Sequence, residues 1–260
     1  MKLPIYQVDA FTDQLFAGNP AAVVLLDREL PDKTLQQIAA ENNLSETAFL
    51  LPGKEVYSLR WFTPALEVDL CGHATLASAF VLFQEKLTRG PEVRFETRSG
   101  VLKVRRDGDL MELDFPSRPP VRVEHSAELA AALGAEPLEL YHAERDWMAL
   151  MSSEREVRHL KPDFSRLGQI DCFAVAVTAA GEEVDFVSRF FAPRAGILED
   201  PVTGSAHCTL TPFWSERLGK RRLQARQVSQ RGGELVCEIR GDRVAICGRA
   251  VEYLRGQITI

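Results

Sequence analysis

Apolar and polar positions alternate in short runs along most of this 260-residue chain, and such runs predict strands. Residues 4–11 alternate loosely and read as a strand; residues 21–26, short and β-branched, read as a buried one. The turn-rich stretch between them closes on Gly18-Asn19-Pro20. Leu35, Ile38 and Ala39 share one face of a helix over 33–41, with Asp32 as its cap and Asn42-Asn43 as its stop. Residues 45–51 and 56–62 are further strands, the first ended by Pro52-Gly53. Gly72-His73-Ala74 opens a helix to about Gln84 that is apolar on nearly every side, and such a helix is surrounded by protein. Strands over 92–97, 101–106 and 110–115 follow, turned by Ser99-Gly100 and Asp107-Gly108. Many strands about one buried helix predict a β-barrel wrapped on a helix.

The second half of the chain restates this plan. Arg60-Trp61-Phe62-Thr63-Pro64, then Asp69 and Cys71-Gly72-His73-Ala74-Thr75, then a helix ending Glu85-Lys86-Leu87, form one copy. Arg189-Phe190-Phe191-Ala192-Pro193, then Glu199-Asp200-Pro201-Val202-Thr203-Gly204-Ser205-Ala206-His207, then a helix ending Glu216-Arg217-Leu218, form the other, about 130 residues later. The fold class predicted is α+β, with two similar domains related by internal duplication. Pro116 to Pro120 marks the boundary, so the domains are 1–117 and 118–260, with the last strand free to return to the first. The second domain is expected to hold a helix at 127–133, strands near Tyr141 and over 147–151, 173–178 and 184–191, and a helix over 206–218. Pro212 is expected to kink that helix or delay its start. Closing strands run from Leu223, with Gly232-Gly233 and Gly241-Asp242 as turns. Duplicated halves commonly face each other across a cleft, a favoured place for a small-molecule site.

Composition narrows the function. A hydrophobic share of 45% and a charged share of 26% are those of a globular chain, and a net charge of −6 without a basic stripe argues against nucleic acid. No apolar run is long enough for a membrane span, and the N-terminus lacks the pattern of a signal peptide. Five scattered cysteines (71, 172, 208, 237 and 247) without a CxxC favour free thiols in a reducing cytoplasm.

Two small-residue turns, at Gly72-His73 and Thr203-Gly204-Ser205, open the buried helices. Helix starts present unpaired N–H groups that hold a carboxylate, so a matched pair suits a small anionic substrate. Glu46 stands among small and apolar residues in a strand, where it is either half-buried or a strand-end acid facing water. A half-buried carboxyl keeps its proton more tightly and serves as both acid and base. His73 and His207 near the helix starts read as caps or as site residues; Asp200 reads as a cap, a turn residue or an orienting group, and Ser205 as a cap or a substrate contact. Cys71 at a helix start could be a thiolate base, which makes an amino-acid epimerase or racemase one alternative. The second copy offers no matching cysteine, and the Cys/His spacings fit no zinc pattern. A non-catalytic small-molecule binder is the other alternative.

Taken together, Val8-Asp9-Ala10-Phe11-Thr12, Gly18-Asn19-Pro20-Ala21-Ala22-Val23, Asn43-Leu44-Ser45-Glu46-Thr47-Ala48-Phe49, Arg60-Trp61-Phe62-Thr63-Pro64, Cys71-Gly72-His73-Ala74-Thr75 and Glu199 to Ala206 resemble the PhzF-like isomerase family. Its fold is diaminopimelate epimerase-like. The resemblance implies two β-barrel halves, each around a central helix, and a cofactor-free isomerase, often a homodimer. It implies that Glu46 shuttles a proton, that His73, Asp200 and Ser205 complete the catalytic set, and that Asn19, Gly72, Thr203 and Gly204 bind substrate. No metal and no cofactor are expected.

Overall fold

The computed structural model describes residues 1–53 and 55–260, which form two compact units: Met1–Asp114 with Cys247–Ile260, and Phe115–Ile246. In the first unit β1 (Lys2–Ala10) pairs antiparallel with β2 (Asn19–Leu25), and helix α1 (Asp32–Asn42) crosses over to β3 (Glu46–Pro52), parallel to β2. β4 (Tyr57–Phe62) returns antiparallel to β3, with the short β5 (Glu67–Val68) folded against it. Helix α2 (Gly72–Gln84) makes the second crossover, to β6 (Glu92–Thr97), parallel to β4. β7 (Gly100–Asp107) and β8 (Leu110–Pro116) continue as antiparallel hairpins.

The second unit opens with β9 (Val121–Val123) and α3 (Ala127–Leu133), and then repeats the order. β10 (Glu139–Ala143) and β11 (Asp146–Leu150) are antiparallel; α4 (Glu154–His159) and the one-turn α5 (Phe164–Leu167) cross to β12 (Ala174–Ala180), parallel to β11. β13 (Phe186–Ala192) is antiparallel to β12 and takes β14 (Ile197–Asp200) on its other side. Helix α6 (His207–Leu218) crosses to β15 (Arg222–Gln227), parallel to β13, and β16 (Gly233–Arg240) pairs antiparallel with β15. β17 (Arg243–Gly248) leads out of this unit, and β18 (Ala250–Thr259) pairs with β1 along its length, with one register shift between Gln7 and Val8.

The duplication extends to individual contacts. In the first unit Arg60 grips Glu67 through two hydrogen bonds of 2.7 Å and lies over the Phe62 ring. In the second, Arg189 grips Glu199 through bonds of 2.7 and 2.9 Å and lies over Phe191. Each arginine also reaches the first crossover of its own unit: Arg60 reaches Asp32 on α1, and Arg189 reaches the carbonyls of Val157 and Leu160 at the end of α4. A planar guanidinium has donors enough to brace strand, acid and helix at once.

α2 is enclosed as its composition requires: Gly72 to Ala79 are all buried, and the helix packs on β1, β2, β3, β7 and β18. α6 runs to Leu218 as expected but begins at His207, after a single 3-10 turn over Gly204–Ala206. Pro212 lies inside it without an N–H for the Cys208 carbonyl one turn back. That carbonyl instead accepts the Arg118 backbone N–H at 2.9 Å, which removes the cost of the missing bond. Asp32 is not the cap of α1. Pro31 holds that place, its carbonyl accepting Thr34 and Leu35 N–H, and Asp32 lies in the first turn, paired with Arg60. Among the described residues no helix is long and apolar enough to cross a membrane, and all five cysteines are free and buried.

Candidate active site

The first residue of β2, the first of β3 and the first turn of α2 bring Asn19, Glu46 and His73 together inside the first unit. Parallel pairing sets Ala21 opposite Glu46, so the two strand starts lie side by side, and α2 packs across both strands. Glu46 is 8% exposed, His73 5% and Asn19 fully buried. Glu46 Oε2 lies 3.1 Å from His73 Nε2, and Asn19 Nδ2 lies 3.2 Å from His73 Nδ1. Asn19 and Glu46 thus meet opposite nitrogens of the imidazole. Burial opposes the His73 imidazolium, but its neighbours Cys71 and the Glu46 carboxylate outweigh burial and hold its pKa well above the ordinary value.

His73 is therefore no helix cap. Cys71 occupies the cap position without capping, and its Sγ lies 3.5 Å from His73 Nδ1. Burial, and then the Glu46 charge, push the Cys71 thiol up to about 11. It is protonated at neutral pH, which argues against a thiolate base there. The first turn of α2, from Gly72, contains no acidic side chain, so its free N–H groups suit an anion.

In the second unit Asp200, Thr203, Gly204 and Ser205 lie in one continuous bend from the end of β14 into α6. Gly204 and Thr203 are buried, Asp200 and Ser205 half-buried. The Thr203 hydroxyl donates to Asp200 Oδ2. The bend is held from β15 by Gln227, a residue the sequence reading missed. Its Oε1 accepts the Thr203 N–H at 2.8 Å, and its Nε2 donates to the Asp200 carbonyl at 2.7 Å and to Thr203 Oγ1 at 3.2 Å. Ser229 adds a bond to the Pro201 carbonyl at 2.8 Å. Behind the bend, His207 is fully buried, with Nδ1 donating to the Thr203 carbonyl at 2.9 Å, and burial pushes its pKa down to about 4. It is a neutral, structural histidine.

A cavity of about 400 Å³ in the first unit lies elsewhere, against the last turns of α2, lined by Phe80, Phe83, Met111, Arg106 and Arg249 and by none of the acid–base residues. The candidate site is therefore the buried carboxylate–imidazole pair and not this cavity. A duplicated α+β fold with a buried carboxylate–imidazole pair at a helix start makes that pair the candidate active site of the first unit.

Comparison with known proteins agrees. The chain belongs to the phenazine biosynthesis-like (PhzC–PhzF) family, whose model matches residues 8–256. An uncharacterised isomerase of Pseudomonas aeruginosa is 51% identical over 258 residues, 99% of each chain, and a phenazine biosynthesis-like domain-containing protein of Homo sapiens is 42% identical over the whole of both. The crystal structure of a PhzF-family phenazine biosynthesis protein from Enterococcus faecalis superposes with a TM-score of 0.98 at 47% identity, covering all of both chains. A hydroxyproline epimerase from Agrobacterium vitis, 12% identical with a TM-score of 0.64 over 99% of this chain and 92% of its own, shares the fold alone.

Proposed function

We propose that this isomerase moves a proton within a small carboxylate-bearing substrate, with Glu46 as the group that removes it from one carbon and returns it to another. The observation that carries the reading is the Glu46 carboxylate held 3.1 Å from His73 Nε2 in a pocket both side chains leave almost dry. Glu46 would take the proton as the C–H electron pair moves into the neighbouring π-system. The same carboxyl would then protonate a second carbon of that system. Reuse of one proton requires exclusion of water, which the burial of both groups favours.

His73 Nε2 stands beside the carboxylate, and Asn19 fixes the ring from its other nitrogen. The amides of the first turn of α2, from Gly72, suit the substrate carboxylate. Asp200 and Ser205, with Thr203 and Gly204, are assigned to orienting substrate and stabilising charge by family resemblance and by the Gln227 clamp on their bend. A homodimer in the cytoplasm fits the free cysteines and the resemblance, and light scattering tests the dimer. The deciding experiment is proton exchange in D₂O with a panel of dihydroaromatic acids and α-amino acids. Exchange that Glu46→Gln abolishes supports the reading; full turnover in that variant contradicts it.

A further inference from the structure

We propose that the cavity of about 400 Å³ against the last turns of α2 is a binding site for a free aromatic α-amino acid, separate from the acid–base pair. Of the 13 residues of α2, those from Gly72 to Ala79, with Val81 and Leu82, are buried. The three that are not, Phe80, Phe83 and Gln84, all line this cavity. A helix enclosed everywhere else thus loses its covering at one place, where it presents two phenylalanine rings three residues apart on one face. Half-buried rings in a concave wall, with a few polar groups about them, are what a small-molecule site offers, and the volume falls in the range of such sites.

The wall is sorted by depth. Met111 on β8 is 3% exposed and lies deepest, with the two rings half-buried. Arg106 on β7 and Asp13 in the loop between β1 and β2 are exposed and stand at the rim. Two further charges on the wall, Arg249 and Asp109, hold each other, with Nε donating to Oδ2 at 2.5 Å. One cation and one anion are left for a ligand. Among the described residues the Arg106 side chain donates one hydrogen bond, from Nε to the Gly108 carbonyl at 3.0 Å, and its guanidinium lies 5.8 Å from the centre of the Phe83 ring. Asp13 has no hydrogen bond or ion pair among the described residues.

An α-amino acid matches this pattern, with a carboxylate and an ammonium on one carbon and an apolar body beyond them. Its carboxylate takes the paired Nη donors of Arg106, the geometry a guanidinium holds best. Its ammonium faces Asp13. Its side chain enters among Phe80, Phe83 and Met111, where an aromatic ring gains ring–ring and sulfur–ring contact. An acid without the ammonium sets its carboxylate against Asp13, and an amine without the carboxylate sets its charge against Arg106, so the two rim charges select the zwitterion. Asn19, Glu46, Cys71 and His73 do not line the cavity, so the site does not depend on the proton transfer proposed above.

The test is isothermal titration calorimetry of the full-length protein with L-phenylalanine, and with phenylacetate, phenethylamine and glycine as its partial forms. The expected result is a saturable component of one equivalent for phenylalanine, with phenylacetate at least ~3-fold weaker, phenethylamine at least ~10-fold weaker, and glycine without measurable heat. Arg106→Ala should weaken phenylalanine ~10-fold or more and Asp13→Asn ~3-fold, with Glu46→Gln leaving it unchanged. Both rim residues are exposed, so their variants should fold, and near-UV circular dichroism checks that they do. No saturable heat at millimolar phenylalanine overturns the site, as does binding that Arg106→Ala leaves intact and Glu46→Gln removes. Phenylacetate bound as tightly as phenylalanine overturns the zwitterion. A dimer in sedimentation that Phe83→Ala dissolves, without amino-acid binding, gives the cavity to a second copy of the chain and overturns the proposal. Proton exchange at Glu46 is read separately, so failure of either reading leaves the other standing.

Discussion

Acid should destabilise the second unit through one side chain, His207. This histidine is fully buried at the start of α6, gives its Nδ1 hydrogen to Thr203, and keeps Nε2 buried without a hydrogen-bond partner. Its pKa is pushed down to about 4 by burial. An unfolded histidine titrates near 6.5, so between those values the unfolded chain binds the extra proton and stability falls as pH falls. The contribution is complete above about pH 6.5 and is lost as pH drops through about 4. A depression of about 2.5 units corresponds to about 3 kcal/mol. Urea unfolding at pH 7 and pH 4, on wild type and on His207→Gln, measures it. The buried carboxylates affect both proteins alike, so the difference between them isolates the histidine. The variant should show about 3 kcal/mol less acid sensitivity than wild type. Equal sensitivity in the two would refute the assignment of a neutral, buried His207.

Other consequences can be checked with single substitutions. A Cβ on Gly18 would stand 2.3 Å from the Ala10 carbonyl oxygen at a φ of +65°, so Gly18→Ala should shift Asn19 off His73 and lower kcat/KM by about 10- to 100-fold, read by steady-state kinetics. Gln227→Leu strands the buried Thr203 N–H and should cost about 1–3 kcal/mol in denaturant unfolding, with kcat reduced as the Asp200–Ser205 bend loosens. Gly248→Ala places a methyl 2.4 Å from the Phe11 ring and should cost about 1–3 kcal/mol by overpacking, visible as a lower Tm. His73 runs opposite to His207. Its raised pKa contributes stability below about pH 6.5 that fades as pH rises through the raised value, so the stability gap between wild type and Glu46→Gln should narrow with increasing pH.

Features governed by local chemistry were legible in the sequence. α2 could be bounded because its all-apolar surface has one explanation, and the duplication was visible because each copy carries an arginine, an acid and a helix start in order. Misreadings came where a distant partner decided the outcome. Asp32 looks like a cap until Arg60 takes its carboxylate. Pro212 signals disruption until Arg118 supplies the missing donor. The short helices α4 and α5 were missed, although Ser153 and Asp163, whose side chains accept the N–H of Glu156 and of Ser165 and Arg166, were cap signals in plain view. For Glu46 the residues left burial and exposure open, and only the pairing of β3 with β2 and the packing of α2 exclude it from water. Asn19, expected among the substrate-binding residues, brings its amide to His73 beside Glu46. Gln227 carried no signal, since a glutamine in a charged strand becomes a clamp only when β14 and α6 are brought to it.

Glu46 as the proton carrier is tested most directly by incubating substrate candidates in D₂O with wild type and Glu46→Gln and following deuterium incorporation by NMR. Wild type should exchange or isomerise at least one carboxylate-bearing substrate, and Glu46→Gln should bind it with that exchange gone. Exchange at the wild-type rate in the variant would contradict the account.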